Sequence, residues 1–206
     1  WSSDSTAAYT TDSNVLTVSG TTGTLGSTLT SGKNYLIEIH KAGLASETAA
    51  NEDGSINTTE TSVNTTSGFA ISKFTGTGSN ATIGHGLSSK PEWIIHKDNG
   101  ANQGTCYHVG SAATKYLLIN NTQAATTNSS VWNDTEPTSS LISMGTSGGV
   151  NNSAEMMSYS WHSVEGYSAF GLMTANTDAD GPFINTGFYS GTIIIKVATG
   201  TAKGWY

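Results

Sequence analysis

Residues 83–97 read I-G-H-G-L-S-S-K-P-E-W-I-I-H-K, and residues 184–196 read I-N-T-G-F-Y-S-G-T-I-I-I-K. With two residues deleted, the I-x-x-G-(apolar)-x-S core and the closing apolar run to Lys superimpose. In both copies turn chemistry leads into an apolar, β-branched run, the signature of a strand entered from a tight turn. Upstream, Gly68–Phe74 resembles Gly166–Phe170, and Tyr35–His40 resembles Met157–His162. Trp1 and Trp132 each open a Ser/Thr-rich run. The period is about 100 residues, the size of a small domain rather than of a solenoid repeat. The expected organisation is therefore the C-terminal part of one unit over 1–45, a Thr-rich acidic linker over 46–67, a complete unit over 68–166 and the N-terminal part of a further unit over 167–206.

Strand signals recur along the 206 residues. They cover Val15–Val18, Asn34–His40, Phe69–Phe74, Glu92–His96, Thr105–Val109, Lys115–Ile119, Leu141–Met144, Met156–His162, Tyr167–Leu172 and Thr192–Val197. Glu92–His96 is nearly continuous in apolar residues, as for a strand covered on both faces. No apolar stripe at helical spacing is present, and Ser, Thr, Gly and Asn fill the connections. The fold expected is all-β, antiparallel β-sandwich units of jelly-roll or lectin-like type in tandem, with little or no helix.

Composition narrows function. All 8 basic residues are Lys and the net charge is −7. Nucleic-acid binding needs a basic stripe and usually Arg, so it is not expected. No apolar run reaches the length of a membrane span. The first residue is Trp, which reads as a fragment or processed product. Cys106 stands alone and reads as a small buried hydrophobe rather than a reactive thiol.

Candidates for chemistry each have a plainer reading. His40, His85, His96, His108 and His162 are the possible metal ligands, yet no two fall at a recognised ligand spacing. His96 and His108 flank one turn and could face each other across a hairpin. Asp178 and Asp180 resemble a fragment of a calcium loop whose remainder is missing, and read as a turn. Gly76-Thr77-Gly78 lacks the downstream Lys-Ser/Thr of a phosphate loop and reads as a hairpin turn. No carboxylate pair suggests glycosidase chemistry, and no G-x-S-x-G elbow occurs. The expectation is therefore no catalytic, cofactor-binding or metal-binding residue. Trp93, Trp132, Trp161, Tyr107, Tyr116 and Tyr159 read mostly as core, with any exposed ring able to stack on a sugar or a neighbouring subunit.

Several motifs in one order carry a family resemblance. They are F-A-I-S-K-F-T-G-T-G-S-N-A-T-I-G-H-G-L at 69–87, A-T-K-Y-L-L-I-N-N-T at 113–122, W-N-D-T-E-P-T-S-S at 132–140, V-E-G-Y-S-A-F-G at 164–171 and D-G-P-F-I-N-T-G-F at 180–188. Residues 1–60 match more loosely, through N-Y-L-I-E-I-H-K-A-G and N-E-D-G-S-I-N-T-T. Together these resemble a domain of unknown function that recurs in tandem in tail and virion-associated proteins of marine bacteriophages. The resemblance implies a non-enzymatic protein on the surface of a virion, in a tail fibre, tail spike or capsid fibre. Its implied partners are copies of itself, as a homotrimer, other virion proteins and a host-surface glycan. The out-of-phase repeat motivates an alternative, a filament or capsid-decoration subunit joined by strand complementation. A polysaccharide depolymerase is the third reading.

Overall fold

Alternation of large apolar side chains over both faces of a few short runs builds most of the molecule. The computed structural model describes residues 16–19, 22–26, 31–34, 39–44 and 48–206. Eleven strands lie among the described residues: β1 Leu16–Ser19, β2 Thr22–Leu25, β3 Glu60–Asn64, β4 Phe69–Thr75, β5 Ala81–Gly84, β6 Trp93–Asp98, β7 Thr105–His108, β8 Lys115–Leu118, β9 Thr126–Thr127, β10 Leu141–Met144 and β11 Glu155–Trp161. Two helical turns, α1 Ser129–Trp132 and α2 Gly148–Asn151, interrupt them. The chain is thus mostly antiparallel β with little helix, as its composition suggested.

The main sheet has seven strands in the order β3-β4-β11-β6-β7-β8-β9, every neighbour antiparallel. The last strand, β11, inserts between β4 and β6. Its register sets Trp161 beside both Phe69 and Trp93, and Met156 beside Phe74. A separate two-stranded layer pairs β5 with β10, Ile83 opposite Ile142.

Side chains of the main sheet fill two cores because successive residues point to opposite faces. On one face Phe74, Ile94, Tyr107 and Met156 pack against Ile83, Ile142 and Met144 of the β5–β10 layer, and against Val131, Trp132 and Val150 of the helical turns. Full burial of an apolar side chain of this size contributes about 1.5–3 kcal/mol. On the other face Phe69, Trp161 and Trp93 form a row with ring centroids 4.8 and 4.6 Å apart. Ile95, Cys106 and Leu117 continue that face, and Ala42, Phe170 and Trp205 cover it.

Several expectations change. Glu60–Asn64 lies inside the stretch read as a linker, yet it forms β3 at the sheet edge. Thr61 points inward there and bonds the hydroxyls of Thr58 and Ser72, so a polar residue takes a place that apolar periodicity would have marked. Among the described residues Tyr167–Leu172 makes only a Val164–Ser168 bridge, and Thr192–Val197 only a Lys196–Trp205 bridge. Of the strand expected over 34–40, residues 35–38 lie outside the described set, and Ile39 and His40 are not in a strand. Trp1 and Val15 also lie outside it.

Gly76–Gly78 is not a hairpin turn. It carries the chain from β4 in the main sheet to β5 in the second layer, with the Gly76 and Gly78 amides donating to Ala154 O and Asn151 O. A Cβ on Gly76 would fall on the carbonyl oxygen of Asn152, which is backbone and cannot swing aside. Gly76→Ala is therefore expected to cost about 2–3 kcal/mol, of the size set by backbone overpacking. A urea midpoint unchanged from the parent chain would contradict that close approach.

Candidate functional site

The five histidines do not converge. His96 and His108 sit at opposite ends of the β6–β7 hairpin, paired with Thr105 and Trp93 respectively, and point to opposite faces, so they do not face each other. His96 is fully buried; its Nδ1 donates to Val150 O at 3.1 Å, and burial pushes its pKa down to about 4. His85 accepts the Leu87 amide on Nδ1, which leaves Nε2 to donate to Thr138 O at 3.3 Å. Burial, more than offsetting that bond, lowers its pKa to about 4 as well. His108 uses Nδ1 to accept the Gly110 amide and cap a short 3-10 turn. The His40 ring rests on Phe69 and Trp161.

His162 meets a hydroxyl. Its Nδ1 lies 2.7 Å from Ser163 O and its Nε2 lies 3.3 Å from the Oγ of exposed Ser88. The nearby Glu92 carboxylate is occupied by the Ser163 amide. Among the described residues no group of three or more His, Cys, Asp or Glu side chains could hold a metal ion. Asp178 accepts the Gly181 amide through its carbonyl in an exposed turn, as its sequence suggested. Cys106 is fully buried, which pushes its thiol far above the ordinary range and keeps it protonated. Among the described residues no helix is long and apolar enough to cross a membrane.

Glu136 of the W-N-D-T-E-P motif proves to be an internal brace. Its two carboxylate oxygens accept the Tyr107 hydroxyl at 2.5 Å and the Ala113 amide at 2.7 Å. Burial, reinforced by the Glu136 carboxylate, pushes the Tyr107 phenol upward, so it stays a donor at any ordinary pH.

The feature with no internal explanation is the segment after β11. Phe170 lies against Trp93 and His108. The chain then leaves the body and returns at Lys196, whose ammonium donates to Asn121 O and Thr122 O. Trp205 seals the return, its Nε1 donating to Leu118 O and its ring beside Trp93. Between these two anchors, among the described residues, the hydrogen bonds of residues 171–194 stay within the loop: Asn176 to Asp178, Gly181 to Asp178, Gly187 to Asn185 and Thr186 to Phe188.

That loop carries large apolar side chains into solvent. Phe183 is 92% exposed, Tyr189 fully, Ile193 66%, and Leu172, Ile184 and Ile194 are exposed with them. Unstructured loops this long are uncommon and usually functional. Several large apolar side chains exposed along one segment offer surface that a partner could cover. The same pattern that is buried in the first repeat copy, with Ile83, Leu87, Ile94 and Ile95 all in the interior, is thus exposed in the second at Ile184, Ile193 and Ile194.

One family model, described as a domain of unknown function, matches residues 2–206. No curated protein and no solved structure matches the chain.

Proposed function

We propose a structural role for this chain, which belongs to the DUF7483 family, a domain of unknown function. In this reading it is a non-enzymatic protein that associates with copies of itself. On its sequence resemblance it serves on the surface of a phage virion, as a segment of a tail fibre, tail spike or capsid fibre that contributes architecture and host-surface recognition. The observation that carries the assembly part is the exposed apolar loop at 171–195. Leaving such side chains in water forgoes roughly 25 cal/mol for every Å² of apolar surface that a partner could cover. A second copy is the occupant this loop suits. Its closing run repeats a turn-strand pattern that the same fold buries elsewhere, and neutral Thr and Ile dominate 192–195.

The out-of-phase repeat favours one variation. In it, the body is one β-sandwich unit, the flanking segments are parts of further tandem units, and copies join by strand complementation into a filament or decoration layer. A run of Thr192–Lys196 presented to a neighbour would supply the β-branched strand this requires.

Sedimentation velocity separates these readings. The chain is expected to form multimers as concentration rises, a trimer in the fibre reading and an open series of sizes in the filament reading. The triple variant Phe183→Ser, Ile193→Ser, Ile194→Ser is expected to sediment as a single chain, with the parent's melting temperature at dilutions where the parent is also a single chain, because it alters only exposed positions. A parent chain that stays at the mass of one copy throughout would remove the assembly reading.

A further inference from the structure

A cleft of about 240 Å³ opens where the β7–β8 end of the main sheet meets the starts of α1 and α2. Its polar lining comes from Asn102, Gln103, Thr105, Tyr116, Asn128 and Ser147. Leu118 and Val131 supply apolar wall. No lining side chain is charged at neutral pH, in a chain whose net charge is −7. That is unsuited to an anion or cation, each of which needs a compensating charge once it is desolvated.

Two of the amides are fixed by the fold. Asn102 Nδ2 donates to the buried Asp98 carboxylate at 2.7 Å, which leaves its Oδ1 as an acceptor. Asn128 Oδ1 accepts both the amide and the hydroxyl of Ser130, which leaves its Nδ2 as a donor. The Ser147 hydroxyl makes no capping bond although it occupies the N-cap position of α2. Among the described residues the Gln103 amide and Tyr116 hydroxyl also have no hydrogen-bond partner in the fold. Neutral donors and acceptors therefore converge on one small space, beside a half-buried aromatic ring. The cleft is smaller than the roughly 300–1,000 Å³ of sites for drug-sized ligands.

We propose that this cleft binds one neutral pyranose unit of a glycan. A pyranose offers hydroxyls that both donate and accept, which matches an amide and hydroxyl lining. Its C–H face suits the Tyr116 ring and the Leu118 and Val131 walls. Asn102 and Asn128 orient the ring, and Gln103, Tyr116 and Ser147 complete the hydrogen bonds. The inference extends the adhesive part of the proposed role and stands apart from self-association, which the loop variant reads separately.

The probes are the methyl glycosides of glucose, galactose, mannose and N-acetylglucosamine, with glucuronate as the anionic control. Saturation-transfer NMR on the full chain reads binding, and titration gives the affinity. At least one glycoside is expected to receive transfer, and glucuronate none. Ser147→Ala breaks no hydrogen bond of the fold, and Tyr116→Phe keeps the ring; each is expected to weaken binding about tenfold, as loss of one well-placed bond does. Absence of transfer to all four glycosides at millimolar concentration would overturn the proposal. So would transfer left undiminished in the Ser147→Ala, Tyr116→Phe double variant. The loop variant, monomeric or not, is expected to bind the glycoside like the parent.

Discussion

Acidification from about pH 7 to about pH 4.5 is expected to destabilise the folded chain by roughly 5 kcal/mol, about half from each of two histidines. His85 and His96 are buried, and burial lowers each pKa from 6.5 to about 4. The unfolded chain then takes up two protons near pH 6.5 that the folded chain refuses until about pH 4. Stability rises with pH wherever the unfolded state holds more protons, so it is complete above 6.5 and lost as pH falls through that window. His162 adds repulsion at His85, while the Thr138 carbonyl and Asp53 oppose the shift there, and Val150 O opposes it at His96. Asp98 adds to the acid loss at lower pH. Burial alone would raise its carboxyl, but bonds from Asn102, Asn152 and Lys97 hold it below its ordinary value. Urea titrations in steps from pH 7 to 4.5 measure the slope. The double variant His85→Gln, His96→Gln, although less stable at pH 7, is expected to show a much flatter dependence. An equally steep slope in that variant would mean that other groups control acid stability.

Replacing Lys97 by Met is expected to cost about 3–5 kcal/mol, as loss of one partner from a buried ion pair does. The Lys97 and Asp98 side chains are both fully buried at the end of β6. The ammonium donates to Asp98 O and Gly100 O at 2.8 Å and to Asp98 Oδ1 at 3.1 Å. Without it two carbonyls and a carboxylate lose a donor in a place water does not reach. Asn102 and Asn152 still donate to Asp98 Oδ2, which limits the loss without cancelling the charge. The double variant Lys97→Met, Asp98→Asn removes both charges and is expected to recover more than half of the penalty. Equal instability of the single and double variants, by denaturant midpoint, would place the cost in the lost carbonyl bonds instead. Because Asp98 also holds Asn102 in the cleft, Asp98→Asn is a stability probe and not a test of sugar binding.

Most of the strands that were legible in the sequence are ones whose side chains meet a core. Phe69–Thr75, Trp93–Asp98, Lys115–Leu118, Leu141–Met144 and Glu155–Trp161 all carry alternating or continuous apolar residues, and all are ladder strands. Glu60–Asn64 was hidden because its inward positions are filled by Thr61 and Val63, one polar and one apolar, in a Thr-rich run. Tyr167–Leu172 and Thr192–Val197 erred in the other direction. Their residues favour a pleated, half-covered surface, but that preference needs a neighbouring strand to act on, and among the described residues they have only isolated bridges. The cleft had no signature at all. Its polar residues come from 102 to 147, and only the approach of α1 and α2 to the sheet brings them together. The loop was partly legible, since its repeat of the 83–97 pattern was visible while its exposure was not.

Amide hydrogen exchange across residues 183–195, followed from dilute to concentrated protein, tests the assembly claim at the segment that makes it. Rapid exchange is expected in dilute solution, with protection of this segment, ahead of any other exposed loop, as multimers form. Rapid exchange at every concentration, in a sample whose sedimentation shows multimers, would contradict it and move the interface elsewhere.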